Sequence, residues 1–488
     1  MDRVENAAAI DRIIESCRAL CLDVRWHDVY ALATSVELEE VNPALLRMKV
    51  TAACALNDKT LLAALAPEII DLPDGHALFY PLVGQIQRSG HGDIGADMLL
   101  ARANAAADPR YAVFLRRAIS LNRGDDARTA TLEAALNAAT NGGWDMKGEP
   151  SSHHFPAPLP ALMGPPVQIV PAPGVDRRHI DRLTGDTAKF LARMQKPAPG
   201  YIVEYANVVV DRHGQIWTPD GKVIVSLGKP IDFTEAGAGG HVAVATSVVA
   251  HTKGIYHFMV DHLPRLGFLF QQGADPDVKL LTNAGGKAFE GALLDLAGFG
   301  PDRLVAVDKP VFVERLLKVV CGFEGMTGWS HMVPMFQTIV DAALAEAARH
   351  QVELPPRIYI SRAAAVRRSM RNEDALEQEL AARGVCIYRF EDIPLWHQIA
   401  LVNSARLIVA PHGAGLAHML MASADVKIIE LLPIAMGTYL LRWNYARLAI
   451  LRGFEYRAWV EEQYLAVQDD WSITLDEFLA HYDRLALD

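Results

Sequence analysis

Residues 406–416 read Arg-Leu-Ile-Val-Ala-Pro-His-Gly-Ala-Gly-Leu, and residues 426–430 read Val-Lys-Ile-Ile-Glu. The apolar run that ends at Ala410 predicts a buried strand, and the Pro-His-Gly-Ala-Gly segment after it predicts a turn. Its glycines allow a tight connection into a helix near Leu416, and the second run predicts a returning strand. A strand, a helix and a strand in this order form parallel sheet, which indicates an α/β protein.

The same alternation extends on both sides of this unit. Strand-like runs lie at 279–282, 304–307, 357–360, 385–389, 407–410 and 426–430, and helical patterns lie at 289–297, 333–350, 372–383 and 395–403. Such alternation predicts parallel sheets covered by helices on both faces. Residues 165–488 are numerous enough for two such half-domains, which would bind ligands at the carboxyl ends of their strands. Residues 201–226 instead predict an antiparallel β-meander.

Residues 1–140 differ from the rest because they are rich in alanine and leucine and have helical periodicity. Turn signals that contain Asp58, Asp93 and Asp125 recur along them, and we expect these aspartates to cap helices. The pattern predicts an all-helical domain of stacked hairpins like tetratricopeptide repeats, although the signature residues of those repeats are missing. An irregular helical bundle is the alternative. Whichever of these two structures it has, the helical domain offers a surface for a protein partner.

Composition and pattern also predict the remaining domain boundaries. Residues 141–174 are rich in proline, glycine and serine, which predicts a linker between domains. After it we expect one half-domain at 175–345, a second half-domain at 346–450, and a C-terminal helical segment at 451–488.

The 488-residue chain has the composition of a globular protein, with 51% hydrophobic and 22% charged residues. Its formal charge of -11 and the lack of a basic stripe argue against nucleic acid as a partner. The five cysteines are scattered, which favours a reducing cytoplasm over a secreted disulfide scaffold. With no leader and no spanning apolar run evident, we expect a cytoplasmic location and at most peripheral contact with the inner face of a membrane.

The glycine turn at 411–416 is the first candidate site. Amides at the start of a helix, together with the helix dipole, suit a diphosphate, and glycines let a ligand approach the backbone. A turn that only connects a strand to a helix accounts for such a sequence equally often. His412 favours a binding site, because it can donate a hydrogen bond to a phosphate oxygen. Glu430, at the end of the next strand, can accept hydrogen bonds from ribose hydroxyls.

The strand at 357–360 leads into a second candidate site, Ser361 and Arg362, where a parallel sheet would place a bound phosphate. The guanidinium fork of Arg362 matches phosphate oxygens and can replace a divalent metal as the neutraliser of a leaving diphosphate. Arg367 follows in the same basic stretch, and we expect it to bind the same ligand. A solvated basic loop is the alternative for this stretch.

The third candidate site is the segment that contains His257 and Asp261. Their spacing of four places both side chains on one helical face, where they can bond to one another or to a shared ligand. Pro264 ends or kinks this helix. A metal site that adds His262 is disfavoured, because His262 points away from Asp261 and no second cluster of ligands exists. A structural ion pair and a general base remain as the two alternatives.

In these three segments, and in this order, the chain resembles glycosyltransferase family 61. This family includes plant xylan arabinosyl- and xylosyltransferases, animal O-linked N-acetylglucosaminyltransferases and bacterial capsular polysaccharide proteins. The resemblance covers about residues 200–460 and rests on His257, Asp261, Leu263-Pro264-Arg265-Leu266, Ile360-Ser361-Arg362, Asn372-Glu373, Pro411-His412-Gly413-Ala414-Gly415-Leu416 and Ile429-Glu430-Leu431. Phe258 stands where many members have tryptophan.

The resemblance implies a GT-B type fold of two Rossmann-like half-domains, a donor held by the C-terminal half, and inverting transfer without a required metal. The sequence agrees, since no Asp-x-Asp-like pair precedes a strand end. We expect Asp261 to be the catalytic base with His257 orienting it, or His257 to be the base itself. The expected donor-binding residues are Ser361, Arg362, Arg367, His412, Gly413, Ala414, Gly415, Leu416 and Glu430.

The predicted function is therefore transfer of a hexose or pentose from a nucleoside-diphosphate sugar, with UDP favoured, to a hydroxyl of a glycan or protein. Bacterial members of the family indicate surface polysaccharide, such as capsule, as the product. No cofactor is expected beyond the donor. One alternative is a helical-repeat scaffold protein with a decayed transferase half. Another is a nucleotide-sugar epimerase or an NAD-linked enzyme, but the third glycine of an NAD site is missing.

Overall fold

The computed structural model describes residues 3–22, 25–36, 41–102, 108–153, 165–195, 200–249, 254–271, 274–320, 333–363, 369–435, 443–463 and 471–485. The chain forms two compact units. Unit 1 contains Met1–Lys147 and Val208–Ala238, and unit 2 contains Gly148–Asn207, Gly239–Met436 and Leu440–Asp488. The protein is α/β, as predicted, with a helical N-terminal region followed by mixed and parallel sheets.

Unit 1 begins with helices that pack against their neighbours in the sequence. These helices are α1 (Arg3–Leu22), α2 (Trp26–Thr34), α3 (Pro43–Leu56), α4 (Lys59–Ile70), α5 (Phe79–Arg88), α6 (Gly92–Ala101), α7 (Tyr111–Leu121) and α8 (Asp126–Ala139). Their apolar faces bury a core that includes Leu46, Phe79 and Leu115. The predicted all-helical region is confirmed, and this order of helices fits a helical repeat.

Two of the three aspartates cap helices as predicted. The carboxylate of Asp58 accepts hydrogen bonds from two backbone amides at the start of α4, and Asp125 accepts one from an amide at the start of α8. Asp93 differs, because α6 begins earlier and His91 occupies the N-cap. Asp93 lies in the first turn and pairs with Lys59 instead. A carboxylate there still interacts favourably with the helix dipole.

The rest of unit 1 is a small antiparallel element that confirms the predicted meander. The last residues of β3 (Tyr201–Val210) pair with β4 (Ile216–Trp217), and β4 pairs with β5 (Val223–Val225). The Asp211 carboxylate fixes the first turn by accepting hydrogen bonds of 2.9 Å from the amides of His213 and Gln215.

The first sheet of unit 2 contains β3 and four later strands, in the order β3-β9-β6-β7-β8. The later strands are parallel to one another: β6 (His241–Ser247), β7 (Lys279–Asn283), β8 (Leu304–Val307) and β9 (Val311–Val320). The short β1 (Glu149–Pro150) pairs antiparallel with β3. The associated helices are α9 (Arg177–Met194), α10 (Ile255–His257), α11 (Ala288–Leu296) and α12 (Val333–His350).

The second sheet of unit 2 is parallel throughout, in the order β11-β10-β12-β13-β14-β2. Its strands are β2 (Gln168–Pro171), β10 (Arg357–Ile360), β11 (Cys386–Tyr388), β12 (Leu407–Pro411), β13 (Lys427–Ala435) and β14 (Glu455–Gln463). The helices around it are α13 (Glu373–Ala382), α14 (Leu395–Ser404), α15 (Asn444–Arg452) and α16 (Leu475–Leu485). Because helices cover both faces, its central strands are apolar along most of their length.

One hydrophobic core joins helices of both sheets. It contains Phe258 and Met335 from the part of the chain around the first sheet, and Ile408 and Tyr456 from the second. A second cluster, around Tyr359 and Trp459, fills the other face of the second sheet beneath α13 and α16. The central strands of this sheet therefore contribute side chains to two cores.

Two segments differ from their predicted structure. The sequence predicts a helical segment at 451–488, but the structure places strand β14 there before α16. The predicted linker contains β2, which pairs with β14. Charged residues interrupt the apolar run of β14, and prolines flank the short β-branched run of β2, so neither sequence stands out as a buried strand. Every helix in the described part of the chain is too short or too polar to span a lipid bilayer.

Candidate functional site

Each sheet of unit 2 reverses its strand order at one point, and predicted site residues lie just beyond both points. In the second sheet the reversal falls between β10 and β12, which Ser361-Arg362 and His412-Gly413 follow. In the first sheet it falls between β9 and β6, and α10 with His257 follows β6. Ligands of open α/β sheets bind outside the carboxyl ends of the strands at such reversals.

The glycine turn opens a 3-10 helix, Ala414–Met421, where the sequence predicts an ordinary helix. The amide of Leu416 donates to the carbonyl of Gly413 at 3.1 Å. The amides of Ala414 and Gly415 have no acceptor within the described residues. The side chain of Leu416 is buried in the core, so it cannot contact a ligand directly. Two backbone donors at a helix start are therefore available to an anion.

The guanidinium of Arg362 lies directly against Gly413. A β-carbon built on Gly413 would approach Nη1 of Arg362 far inside contact distance and would lie 2.7 Å from its Cζ. Real β-carbons do not come this close to other heavy atoms, so any side chain at position 413 must displace the guanidinium. The backbone of Gly413 is extended, with φ of -176°, so glycine matters here for the space that it leaves to the guanidinium and not for backbone conformation. This contact joins the ends of β10 and β12 into one cationic turn.

A buried carboxylate fixes the backbone at Arg362. Oε1 of Glu373 accepts a hydrogen bond of 2.7 Å from the amide of Arg362 and one of 2.9 Å from the hydroxyl of Tyr359. Burial raises the pKa of Glu373, and these two hydrogen bonds oppose that rise. Glu373 thus holds the end of β10 where it meets the glycine turn.

His412 is oriented by Glu430. Nδ1 of His412 lies 2.5 Å from Oε1 of Glu430, and the hydroxyl of Tyr456 donates to the other oxygen of that carboxylate. Glu430 is fully buried, and His412 is 7% exposed. The sequence predicts that Glu430 accepts from ribose hydroxyls. In the structure both of its oxygens bond to protein groups instead, so its contact is with His412.

Of two further predicted donor residues, Ser361 is buried in a turn and Arg367 is outside the described residues. Ser361 is 2% exposed, and its hydroxyl accepts a hydrogen bond of 3.2 Å from the amide of Ala363. It therefore stabilises the turn after β10. Arg367 lies outside the described residues, so its predicted contact with the donor stays a prediction.

The third predicted site lies on a helix whose turns change type. After α10, residues Phe258–His262 form a turn of π-helix, and Leu263–Phe270 form a 3-10 helix that contains Pro264 near its start. Such π-turns inside helices are frequent at functional sites. Nδ1 of His257 lies 2.8 Å from Oδ2 of Asp261, and both side chains are partly exposed, 49% and 39%. The hydrogen bond to Asp261 raises the pKa of His257.

Three successive ring contacts connect His257 to His412. The ring centroids of His257 and Tyr256 are 5.3 Å apart, those of Tyr256 and Tyr445 are 5.6 Å apart, and those of Tyr445 and His412 are 5.3 Å apart. The hydroxyl of Tyr445 also donates to the carbonyl of Gly413 at 2.6 Å. The His257–Asp261 pair and the glycine turn therefore lie at one site.

Sequence reasoning missed the residues that join the two parts of this site. Tyr445 lies on α15, far along the chain from Tyr256, and no local pattern marks it. Arg447 on the same helix makes a bidentate ion pair with Asp186 on α9, with contacts of 2.6 and 2.7 Å. The one available signal was Tyr256, an aromatic residue directly before His257.

The arrangement combines an imidazole paired with a carboxylate and a cationic turn with available amides. Such groups can accept a proton from a hydroxyl and stabilise a leaving phosphate. Among the described residues no group of three or more His, Cys, Asp or Glu side chains is placed to hold a metal ion.

Comparison with known proteins agrees with this chemistry. Residues 255–429 match the family model of Glycosyltransferase 61. A relative from Drosophila melanogaster, EGF domain-specific O-linked N-acetylglucosamine transferase, is 29% identical over 139 residues. This alignment covers 26% of the chain and 26% of the relative, so the chain spans about a quarter of the length of that protein.

The matched region begins at α10 and ends on β13, so it contains the His257–Asp261 pair, Arg362 and the glycine turn. The part of the chain that builds the site is a glycosyltransferase domain. Its match to the Glycosyltransferase 61 model over residues 255–429 agrees with the resemblance predicted from the sequence.

Proposed function

We propose that the protein transfers a sugar, with inversion and without a metal, from a nucleoside-diphosphate sugar to a hydroxyl of a glycan or protein. The observation that carries this proposal is the series of ring contacts between His257 and His412, because it supports a candidate base and a candidate leaving-group site in one region of the molecule. We infer that the two sheets of unit 2 are the halves of a GT-B fold, with the donor on the second sheet.

In the donor half, Arg362, His412 and the amides of Ala414 and Gly415 bind the diphosphate. Arg362 supplies a delocalised charge and two parallel donors, and the amides add the positive end of a helix. His412 gives one ring nitrogen to Glu430 and turns the other towards the phosphate. The contact with Glu430 fixes the orientation of the ring, so that Nε2 is the nitrogen left for a phosphate oxygen.

In the acceptor half, we assign the base to His257, and Asp261 orients its ring and stabilises its charged form. The hydrogen bond occupies Nδ1 of His257 and leaves Nε2 for the substrate. The pKa of an imidazole lies near neutral pH, where a general base is most effective. The alternative is that Asp261 is the base and His257 orients it. The variants His257→Gln and Asp261→Asn distinguish the two assignments.

The proposed reaction is a single displacement. Nε2 of His257 takes the proton of the acceptor hydroxyl while that oxygen forms a bond to the anomeric carbon. The bond from this carbon to the diphosphate breaks, and its electron pair leaves with the diphosphate. Arg362, His412 and the two amides stabilise the charge that develops on the leaving group. Attack from the face opposite the leaving group inverts the anomeric configuration.

The name of the Drosophila relative guides the choice of substrates. That protein is named for N-acetylglucosamine transfer to EGF domains. We therefore propose UDP-N-acetylglucosamine as the first donor to test, and a serine or threonine hydroxyl or a surface glycan as the acceptor. In this proposal the helical region of unit 1 binds a protein partner or the acceptor, because stacked helices form extended binding surfaces.

A nucleotide panel tests the donor class. We expect UDP to raise the midpoint of thermal unfolding more than GDP, CDP, ADP or NAD, and EDTA to leave this shift unchanged. A ligand at about 100 times its Kd adds about 2.7 kcal/mol of stability, which corresponds to a shift of several degrees. Stabilisation by NAD alone would overturn the proposal, and loss of the UDP shift in EDTA would overturn its metal-free form.

Replacing Glu430 by glutamine tests the role of His412. A neutral amide makes a weaker hydrogen bond to Nδ1 of His412 than a carboxylate does, so the ring is held less firmly and we expect UDP to bind about tenfold more weakly. Calorimetric titration with UDP measures the change. Tyr456→Phe is the matched control, because it removes the other hydrogen bond to Glu430 but keeps the charge. Equal affinity in Glu430→Gln and the unmodified protein would exclude His412 from the phosphate contact.

A further inference from the structure

A cavity of about 600 Å³ lies at the edge of the second sheet opposite the glycine turn. Its walls come from the amino ends of four adjacent parallel strands, β10, β12, β13 and β14, and from α16. Neighbouring strands are about 4.8 Å apart, so these four strand ends span about 14 Å. The cavity is within the size range of sites for small molecules.

Each of the four strands brings a cation to this cavity. Arg357 is the first residue of β10, Arg406 directly precedes β12, Lys427 is the first residue of β13, and Arg457 lies near the start of β14. Two carboxylates, Asp425 and Glu455, also line the cavity. The lining thus has an excess of positive charge, although the chain as a whole carries a formal charge of -11.

The two carboxylates leave part of this positive charge without a partner. Glu455 lies 2.9 Å from Arg457 and 3.9 Å from Lys427. Asp425 accepts a hydrogen bond of 2.7 Å from the hydroxyl of Ser423, which lowers the pKa of its carboxyl, and the charge of Arg406 lowers that pKa further.

Arg357 and Arg406 are exposed, and neither forms an ion pair with any carboxylate in the described part of the chain. They start adjacent strands, and Arg357 is in register with Leu407, the residue after Arg406. Like charges at neighbouring strand ends repel one another, and an anion in the cavity that both side chains line would relieve that repulsion.

An aromatic residue lies on the helix side of the cavity. Tyr482 of α16 is 1% exposed, and its phenol lines the cavity with Ile428 and Ile429. Its hydroxyl makes no hydrogen bond of normal geometry within the described residues, although the Arg357 guanidinium lies near it. A buried hydroxyl of this kind can bond to a ligand oxygen. The cavity therefore offers guanidinium groups, a hydroxyl donor and an apolar surface.

We propose that this cavity binds a small anion with two or more phosphate charges, at a second site distinct from the glycine turn. Planar guanidinium groups bind phosphate oxygens in pairs, which suits Arg357 and Arg406. A span of several strands suits a ligand with more than one charged group. The proposal does not depend on the proposed transfer reaction, because the two sites lie at opposite edges of one sheet.

Calorimetric titration with inorganic pyrophosphate in EDTA tests this site. We expect two pyrophosphate sites in the unmodified protein. Arg357→Glu and Arg406→Glu should each weaken pyrophosphate binding at the second site by about tenfold or more. Reversing the charge of either side chain replaces attraction of the anion by repulsion. Lys309→Glu is the matched control, because it makes the same change of charge at an exposed position outside the cavity. Thermal unfolding of each variant shows that it is folded.

Two further measurements distinguish failure of this proposal from failure of the proposed function. Arg362→Ala should weaken only the other pyrophosphate site, and its failure to do so would count against the donor site alone. If Arg357→Glu and Arg406→Glu bind pyrophosphate with the same affinities as Lys309→Glu, the second site is overturned and the donor site is not affected. Inorganic phosphate should bind the second site at least about tenfold more weakly than pyrophosphate, since it offers fewer charges. Equal affinity would overturn the requirement for two phosphate charges.

Discussion

Replacing His257 by glutamine is expected to lower the rate of sugar transfer by a factor of about 10²–10⁴ and to leave the Kd for UDP unchanged. Glutamine keeps a polar side chain beside Asp261 but cannot accept the proton of the acceptor hydroxyl. The side chain lies on the helix after β6, whereas the diphosphate groups follow β10 and β12, so binding should persist. Release of UDP from UDP-N-acetylglucosamine measures turnover, and calorimetry measures binding.

Asp261→Asn is the companion variant that identifies the base. If His257 is the base, its pKa falls when the carboxylate is lost, because the hydrogen bond to Asp261 is what raises it. A base must be unprotonated, so kcat/KM rises with pH through the pKa of His257. The acid limb of the profile should then move to lower pH in Asp261→Asn, with a reduced plateau.

The opposite pattern would reassign the base. Residual activity in His257→Gln together with complete loss in Asp261→Asn would make Asp261 the proton acceptor and His257 its orienting partner. Loss of UDP binding in either variant would remove that residue from the role of base, because a base for the acceptor hydroxyl does not contact the diphosphate in the proposed site.

Gly413→Ala is expected to weaken UDP binding by about 30-fold or more, which corresponds to about 2 kcal/mol. The new methyl group would occupy the space of the Arg362 guanidinium and displace it from the turn. The fold should survive, because the backbone at position 413 is extended and accepts any residue. Calorimetric titration with UDP measures the loss, and thermal unfolding measures stability.

A double-mutant cycle shows whether this effect acts through Arg362. Arg362→Ala alone should weaken binding by a similar factor, and adding Gly413→Ala to it should cost little more, because the guanidinium is already gone. Gly185→Ala is the matched control, since a methyl group there meets no other atom. Additive losses would show that Gly413 and Arg362 act independently, contrary to the close contact between them.

The fold was predictable where local pattern and tertiary structure agree. The apolar strands at 357–360 and 407–410 are buried on both faces along most of their length, so their sequences need no polar alternation. Strand β14 could not be recognised, because its glutamates and arginine break the pattern and its stability comes from pairing with β13 and β2. The predicted cap at Asp93 was wrong, because α6 begins before this residue and His91 is at its N-cap.

The sequence predicted which residues of the candidate site lie near one another better than it predicted their contacts. It assigned Arg362, His412 and Gly413 to one site, because arginine and glycine directly after buried strands are typical of phosphate-binding sites, and the structure brings Arg362 against Gly413. It did not distinguish side chains that face a ligand from those that face the core, so Leu416 and Ser361 were assigned donor contacts although both are buried. Tyr445 was missed because only folding brings it beside His412 and Tyr256.

The pairing of β2 with β14 limits how the molecule can be cut. The last strand of the sheet that carries the glycine turn is β2, near residue 170. Helix α9 comes after β2 in the chain, and its Asp186 pairs with Arg447 of α15. A fragment trimmed to the family match at 255–429 would lose β2, β14 and both helices of this ion pair. Its sheet would end in an unprotected edge at β13, which invites aggregation. Expression boundaries are therefore better placed before residue 165 and after residue 485.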